Sequence, residues 1–117
     1  MISKSIYVTT TTEFVHQYKD APDEVEYLRY PHRHLLYIRA EIEVFNEDRE
    51  LEFIMVKHKV DKFVRDTFSE VTNRSCENLC SMLLSYLQSE YGNDRNISIT
   101  VSEDNENGAI LVYKEGY

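Results

Sequence analysis

The run YPHRHLLYIRAEIEVF, residues 30–45, opens with His32-Arg33-His34. Residues two apart in an extended chain project to the same side, so these two imidazoles can aim at one point. A third, His16, ends an earlier alternating stretch on its even-numbered side. If the two stretches pair as strands, all three imidazoles meet. Three histidines with an open fourth position form a familiar zinc-binding set, in which the metal polarises an oxygen or activates water. The competing reading of H-x-H is a polar pair at a strand end with no ligand at all. The fourth histidine, His58, lies opposite Val56 and Val60 on a helical pattern and is expected to face solvent.

These side chains meet only if the elements around them form and pair. Residues 5–16 alternate, with Ile6, Val8, Phe14 and His16 on one side, and the threonine run suits a strand. Gln17 to Pro31 is polar, carries both prolines and reads as a loop. His32, His34, Leu36, Ile38, Ala40, Ile42 and Val44 then share one side of a long strand, with Arg33, Tyr37, Arg39, Glu41 and Glu43 on the other. Asn46-Glu47-Asp48 supplies turn chemistry, and Glu50 to Ile54 is expected to return as an antiparallel strand.

The period then changes to that of a helix. Val56, Val60, Phe63, Val64 and Phe68 mark one helix, and Leu79, Met82, Leu83, Tyr86 and Leu87 a second that starts after Ser75 and stops at Gly92. Residues 97–103 alternate again, Asn107-Gly108 signals a tight turn, and 109–113 forms the last strand. The order ββααββ over residues 1–117 predicts a single α+β domain, a four-stranded antiparallel sheet with two helices on one face. Such a sheet leaves two strand edges in need of a partner or protection, so oligomerisation through the edges is expected.

Composition narrows the partners. The net charge of −8 on 117 residues repels a phosphate backbone, which argues against a nucleic-acid polymer. No apolar run approaches a membrane span, and the start, MISKSIYVTTTT, lacks the apolar stretch of a signal peptide. Cys76 and Cys80 fall one turn apart on the second helix, a poor placement for a structural disulfide. A reducing, cytoplasmic setting with no membrane partner is therefore expected.

From about Thr12 to Tyr113 the order of these residues resembles the 6-pyruvoyltetrahydropterin synthase and 6-carboxytetrahydropterin synthase family, of the tunnelling fold. His16 matches the family's first zinc ligand, and His32-Arg33-His34 stands where it has H-G-H. Glu52-Phe53 stands for its D-F, with Lys57 for the lysine shortly after. Ser75-Cys76-Glu77-Asn78-Leu79 is similar to the start of its second helix, P-T-x-E-N-L. Val101-Ser102-Glu103 is similar to the end of its third strand. The resemblance implies zinc on His16, His32 and His34, and Glu103 as the anchor of a pterin. A carboxylate accepts two parallel hydrogen bonds from the N–H edge of a pterin or guanine, and Glu103 stands where alternation would otherwise put an apolar residue. The alternative is that Glu103 simply follows the strand into the acidic turn. Tyr27 and Tyr30, in the loop before the histidines, can stack on a heterocycle. The stretch EDNENG (103–108) lacks the calcium-loop pattern and reads as a solvated turn.

The sequence departs from the family where protons must move. Leu28 stands at the family's cysteine, four residues before H-x-H. Glu26 is the nearest substitute, two residues out of register, with Glu24 further off. Arg65-Asp66-Thr67 stands for the family's L-D-H, which keeps an aspartate, Asp66, and loses the histidine. Each positioned acid or base is worth roughly 10²–10⁴-fold in rate, so losing both removes most of the acceleration. Groups that hold a ligand survive better than groups that transform it.

Three functions follow. The leading one is a divergent tunnelling-fold protein that binds a pterin- or purine-like small molecule, such as a signalling nucleotide, between subunits without the family's catalysis. The second is a zinc-dependent lyase acting on dihydroneopterin triphosphate. The third is a structural or protein-interaction module, which the nine tyrosines fit equally well.

Overall fold

A computed structural model of the chain describes residues 2–68 and 72–116. Strands β1 (Lys4–His16) and β2 (His32–Val44) pair antiparallel along their whole 13-residue lengths, setting His16 opposite His32 and Phe14 opposite His34. Helices α1 (Phe53–Thr67) and α2 (Cys76–Tyr91) follow, and then β3 (Ile97–Glu103) and β4 (Asn107–Tyr113). The sheet is antiparallel and open, in the order β1-β2-β3-β4. This is the predicted ββααββ order in an α+β fold.

One sheet face carries the core. Val8, Phe14, Leu36, Ile38, Ala40, Ile42, Ile97, Ile99 and Val101 are buried there, as alternation requires. Val56, Val60 and Val64 of α1 and Leu79, Leu83 and Leu87 of α2 cover them, at the four-residue spacing that puts side chains on one helix stripe. α1 packs on β1, and α2 packs on β3 and β4. Burial of each such aliphatic side chain contributes about 1.5–3 kcal/mol. Between the helices the Phe63 and Tyr86 rings stack at 4.5 Å and 18°. Among the described residues no element covers the opposite face, where Tyr7, Ile110 and Val112 are exposed.

Strand lengths position the site. β3 pairs with β2 only from Leu36↔Glu103 to Ile42↔Ile97. The β1–β2 ribbon therefore runs past the end of β3, and this overhang carries all three clustered histidines.

The structure corrects three expectations. Residues 50–54 do not form a return strand: α1 already begins at Phe53, with the Glu52 carboxylate accepting the Ile54 N–H at 3.0 Å as its cap. Glu50 instead ties the preceding loop down, its carboxylate accepting from Phe45 N at 2.6 Å and from the Arg95 guanidinium at 2.7 Å. The polar loop before β2 contains a 3₁₀ segment, Asp23–Arg29, interrupted at Val25. The last hairpin turns at residues 104–106, with Asp104 and Asn105 at φ 55° and 59°, so Asn107-Gly108 already belongs to β4. Gly108 is needed for close approach: a Cβ there would meet the Val101 carbonyl oxygen at 2.1 Å.

α2 starts at a capping box. The Ser75 hydroxyl accepts from Asn78 N at 3.1 Å, and the Asn78 side chain accepts from Ser75 N at 3.5 Å. Among the described residues no helix is long and apolar enough to cross a membrane.

Candidate metal centre

His16, His32 and His34 converge at the overhang of the β1–β2 ribbon. Their ring centroids lie 4.4 Å (His16–His32), 5.1 Å (His16–His34) and 4.9 Å (His32–His34) apart. One nitrogen from each lies within 4.8 Å of the others.

Each ring is oriented through its other nitrogen. His32 Nδ1 is 2.8 Å from the Tyr30 carbonyl and His16 Nδ1 is 3.2 Å from the Arg74 carbonyl. His34 Nδ1 is 2.7 Å from Asp104 Oδ2. Carbonyl and carboxylate oxygens only accept, so all three Nδ1 atoms carry the proton and all three Nε2 atoms present lone pairs. This arrangement, a backed Nδ1–H and a bare Nε2, is the one metal-binding histidines adopt. Among the described residues, the Nε2 atoms of His32 and His34 are buried without a hydrogen-bond partner. An unsatisfied buried polar atom costs about 1–3 kcal/mol, and a cation would remove that cost. The residues therefore fit a metal ion on their own chemistry.

Burial holds His16 below the ordinary imidazole value of 6.5, opposed in part by the Arg74 carbonyl and the Glu103 carboxylate. At neutral pH its ring is uncharged, the form that binds metal. Arg74 reaches the site because residues 72–75 dock on the outer edge of β1, with Thr72 N donating to Val15 O and Gln17 N to Thr72 O.

Asp104 was not distinguished in the sequence from the acidic turn around it. Its carboxylate accepts from Leu35 N at 2.9 Å as well as from His34, and these hydrogen bonds lower its pKa. Nothing local marks it, because His34 is 70 residues away in the chain and only the hairpin turn brings the two together.

Glu103 lies beside His34 and His16. Its Oε2 is 2.8 Å from His34 Nε2, though outside the N–H direction, and Oε1 is 3.8 Å from His16 Nε2. Oε1 also accepts the Cys76 S–H at 3.5 Å. Burial first, and then the Glu103 charge, push the Cys76 thiol up to about 12, so it stays protonated and is no nucleophile. Cys80 is buried too, and neither cysteine forms a disulfide.

His16 and His32 open onto a cavity of about 610 Å³, lined also by Glu103, Cys76, Tyr18 and Leu28 among others. That is the size of a small-molecule pocket. A second cavity, about 500 Å³ along Thr9–Thr12, holds no such cluster, and its Lys57 is engaged by the Thr9 carbonyl at 2.7 Å.

The remaining sequence candidates lie elsewhere. Tyr27 and Tyr30 are 67% and 70% exposed and do not line the cavity; Tyr30 contributes its carbonyl instead. Tyr18 is the aromatic residue on the cavity wall. Glu26 is exposed, 3.9 Å from Arg29, and Asp66 pairs with Lys62 at 2.7 Å on the outer face of α1. The Lys62 ammonium holds the Asp66 carboxyl below the usual carboxylate range. The structure brings neither carboxylate to the histidines. His58 is exposed, and Arg33 points to the face away from both neighbouring histidines. No family model matches the chain, and a search of curated proteins finds no significant match.

Proposed function

We propose that the chain is a divergent tunnelling-fold protein of the 6-pyruvoyltetrahydropterin synthase and 6-carboxytetrahydropterin synthase type. In this reading it holds zinc on His16, His32 and His34 and binds a pterin- or purine-like molecule beside the metal, without the family's catalysis. The observation that carries it is the convergence of three bare Nε2 atoms, two of them buried and unpaired among the described residues, with His16 and His32 on the wall of a cavity of about 610 Å³. Neutral imidazole nitrogens suit zinc. When bound, zinc would supply a Lewis acid for a ligand oxygen.

The chain's own groups would do the rest. Glu103 offers an acceptor to the N–H edge of a heterocycle, and Tyr18 offers a ring on the cavity wall. Leu28, at the family's cysteine position, lines the same cavity with hydrocarbon and can neither give nor take a proton. A ligand would be held there rather than converted.

Assembly through the sheet edges belongs to the same reading. β1 and β4 are the edge strands of the sheet, with residues 72–75 docked on β1 only at its His16 end, and Tyr7, Ile110 and Val112 are exposed on the face away from the helices.

Native mass spectrometry on protein purified without chelator reads assembly mass, metal and retained small molecule together. An oligomer carrying zinc and a heterocycle-sized adduct that is released unchanged is the expected result. Turnover of dihydroneopterin triphosphate by the zinc-loaded protein would overturn the non-catalytic reading in favour of the lyase. A bare monomer with neither metal nor adduct would leave only an interaction module.

A further inference from the structure

Glu103 faces the histidines more closely than an anchor for a ligand needs to. Its Oε2 is 2.8 Å from His34 Nε2, and Oε1 is 3.8 Å from His16 Nε2. Because Asp104 takes the Nδ1–H of His34, Nε2 presents a lone pair to an oxygen that also carries lone pairs. Two acceptors at that separation repel unless a positive charge sits against both. A proton on Nε2 would point past the oxygen and form no hydrogen bond to it, since among the described residues His34 Nε2 has no aligned partner, whereas a metal ion is held by both lone pairs at once. The carboxylate is also held in place. The Cys76 S–H donates to Oε1 at 3.5 Å, which leaves Oε2 for the nitrogens.

We propose that Glu103 is a fourth metal ligand, binding through Oε2 together with His16, His32 and His34 and closing the position a three-histidine site leaves open. The inference rests on the metal reading above and goes beyond it. A closed set of three nitrogens and one carboxylate oxygen is the coordination of a site that holds its metal without an exchangeable water. The carboxylate also lowers the charge of the centre by one unit. A molecule that uses Glu103 or reaches the metal must first displace one from the other, so metal and small-molecule occupancy are coupled at this residue.

Chelator-stripped protein titrated with Co²⁺, followed by visible absorption and by competition with Zn²⁺, tests this. Wild-type protein is expected to bind a single Co²⁺ per chain, with the intense absorption of a four-coordinate site that added azide does not change. Glu103→Gln should weaken both metals by roughly 10–100-fold or more, since even groups that only back a ligand are worth that much. Glu103→Ala should bind azide at the vacated position and shift the spectrum, with circular dichroism confirming that both variants fold. An azide response in the wild-type protein overturns the proposal whatever the variants do. So does unchanged affinity in both variants, and in either case the three-histidine site stands. If the wild-type protein takes up no Co²⁺, the metal reading itself falls.

Discussion

The three histidines differ in what backs them, and the difference is testable at single residues. His16 and His32 lean on backbone carbonyls, which no substitution removes, whereas His34 leans on the side chain of Asp104. In Asp104→Asn the amide oxygen still accepts from Leu35 N, and asparagine tolerates the φ of 55° at this position. The amide NH₂ would then face His34 Nδ1, favouring the tautomer with the proton on Nε2 and blocking that ligand. We expect zinc affinity to fall by roughly 10–100-fold in a competition titration against a chromophoric chelator. The melting temperature of the metal-free protein should barely move. A large drop there with unchanged zinc affinity would assign Asp104 to the hairpin alone.

At the scale of elements, α2 and the loop before α1 hold the sheet in the shape the site needs. Leu83 is fully buried on the stripe of α2 that covers β3 and β4. Leu83→Ala should cost about 2–5 kcal/mol in urea unfolding, through lost transfer energy and a residual cavity. The loop carries a pH signature. Arg95 first, and then the Phe45 N–H, hold the Glu50 carboxyl below its ordinary value of 4.5. A carboxyl depressed on folding adds stability above its unfolded value, and that stability is lost as the pH falls through the folded value. Glu50→Gln removes this contribution. The variant should be less stable than wild type at neutral pH, and the gap should close as melting temperatures are followed down below pH 4.5.

For the whole molecule, the open edge of β1 is where assembly through the sheet would show. The backbone groups of its odd-numbered residues face outward: Thr9 O takes the Lys57 ammonium and Val15 O takes Thr72 N. Thr11 lies between them with its N–H directed away from β2. Thr11→Pro removes that outward donor and leaves the β1–β2 ladder intact, since proline is tolerated on an edge. If β1 is an assembly seam, sedimentation velocity should show the variant dissociating while its circular dichroism is retained. An unchanged sedimentation coefficient in an oligomer would place the seam elsewhere.

Much of this was legible in the residues themselves. The long alternation from His32 to Val44 specifies a strand and its buried side, and the valine and leucine spacings specify two helices, because these signals depend only on backbone period. The pairing of His16 with the H-x-H run was also readable, since two alternating stretches with histidines at adjoining ends have one natural antiparallel register. The segment 50–54 reads as a strand on a short alternation alone, which carries little weight against the Glu52 carboxylate that caps a helix starting at the next residue, Phe53. The Asn107-Gly108 pair was misread because glycine serves close strand approach as readily as a turn. What only the tertiary structure decided lies between chain-distant groups: the Arg74 carbonyl on His16, Asp104 on His34 and the Cys76 thiol on Glu103. None of these has a local pattern. Each is a contact between segments brought together by sheet pairing and helix docking, and the first two set which nitrogen of His16 and of His34 is free.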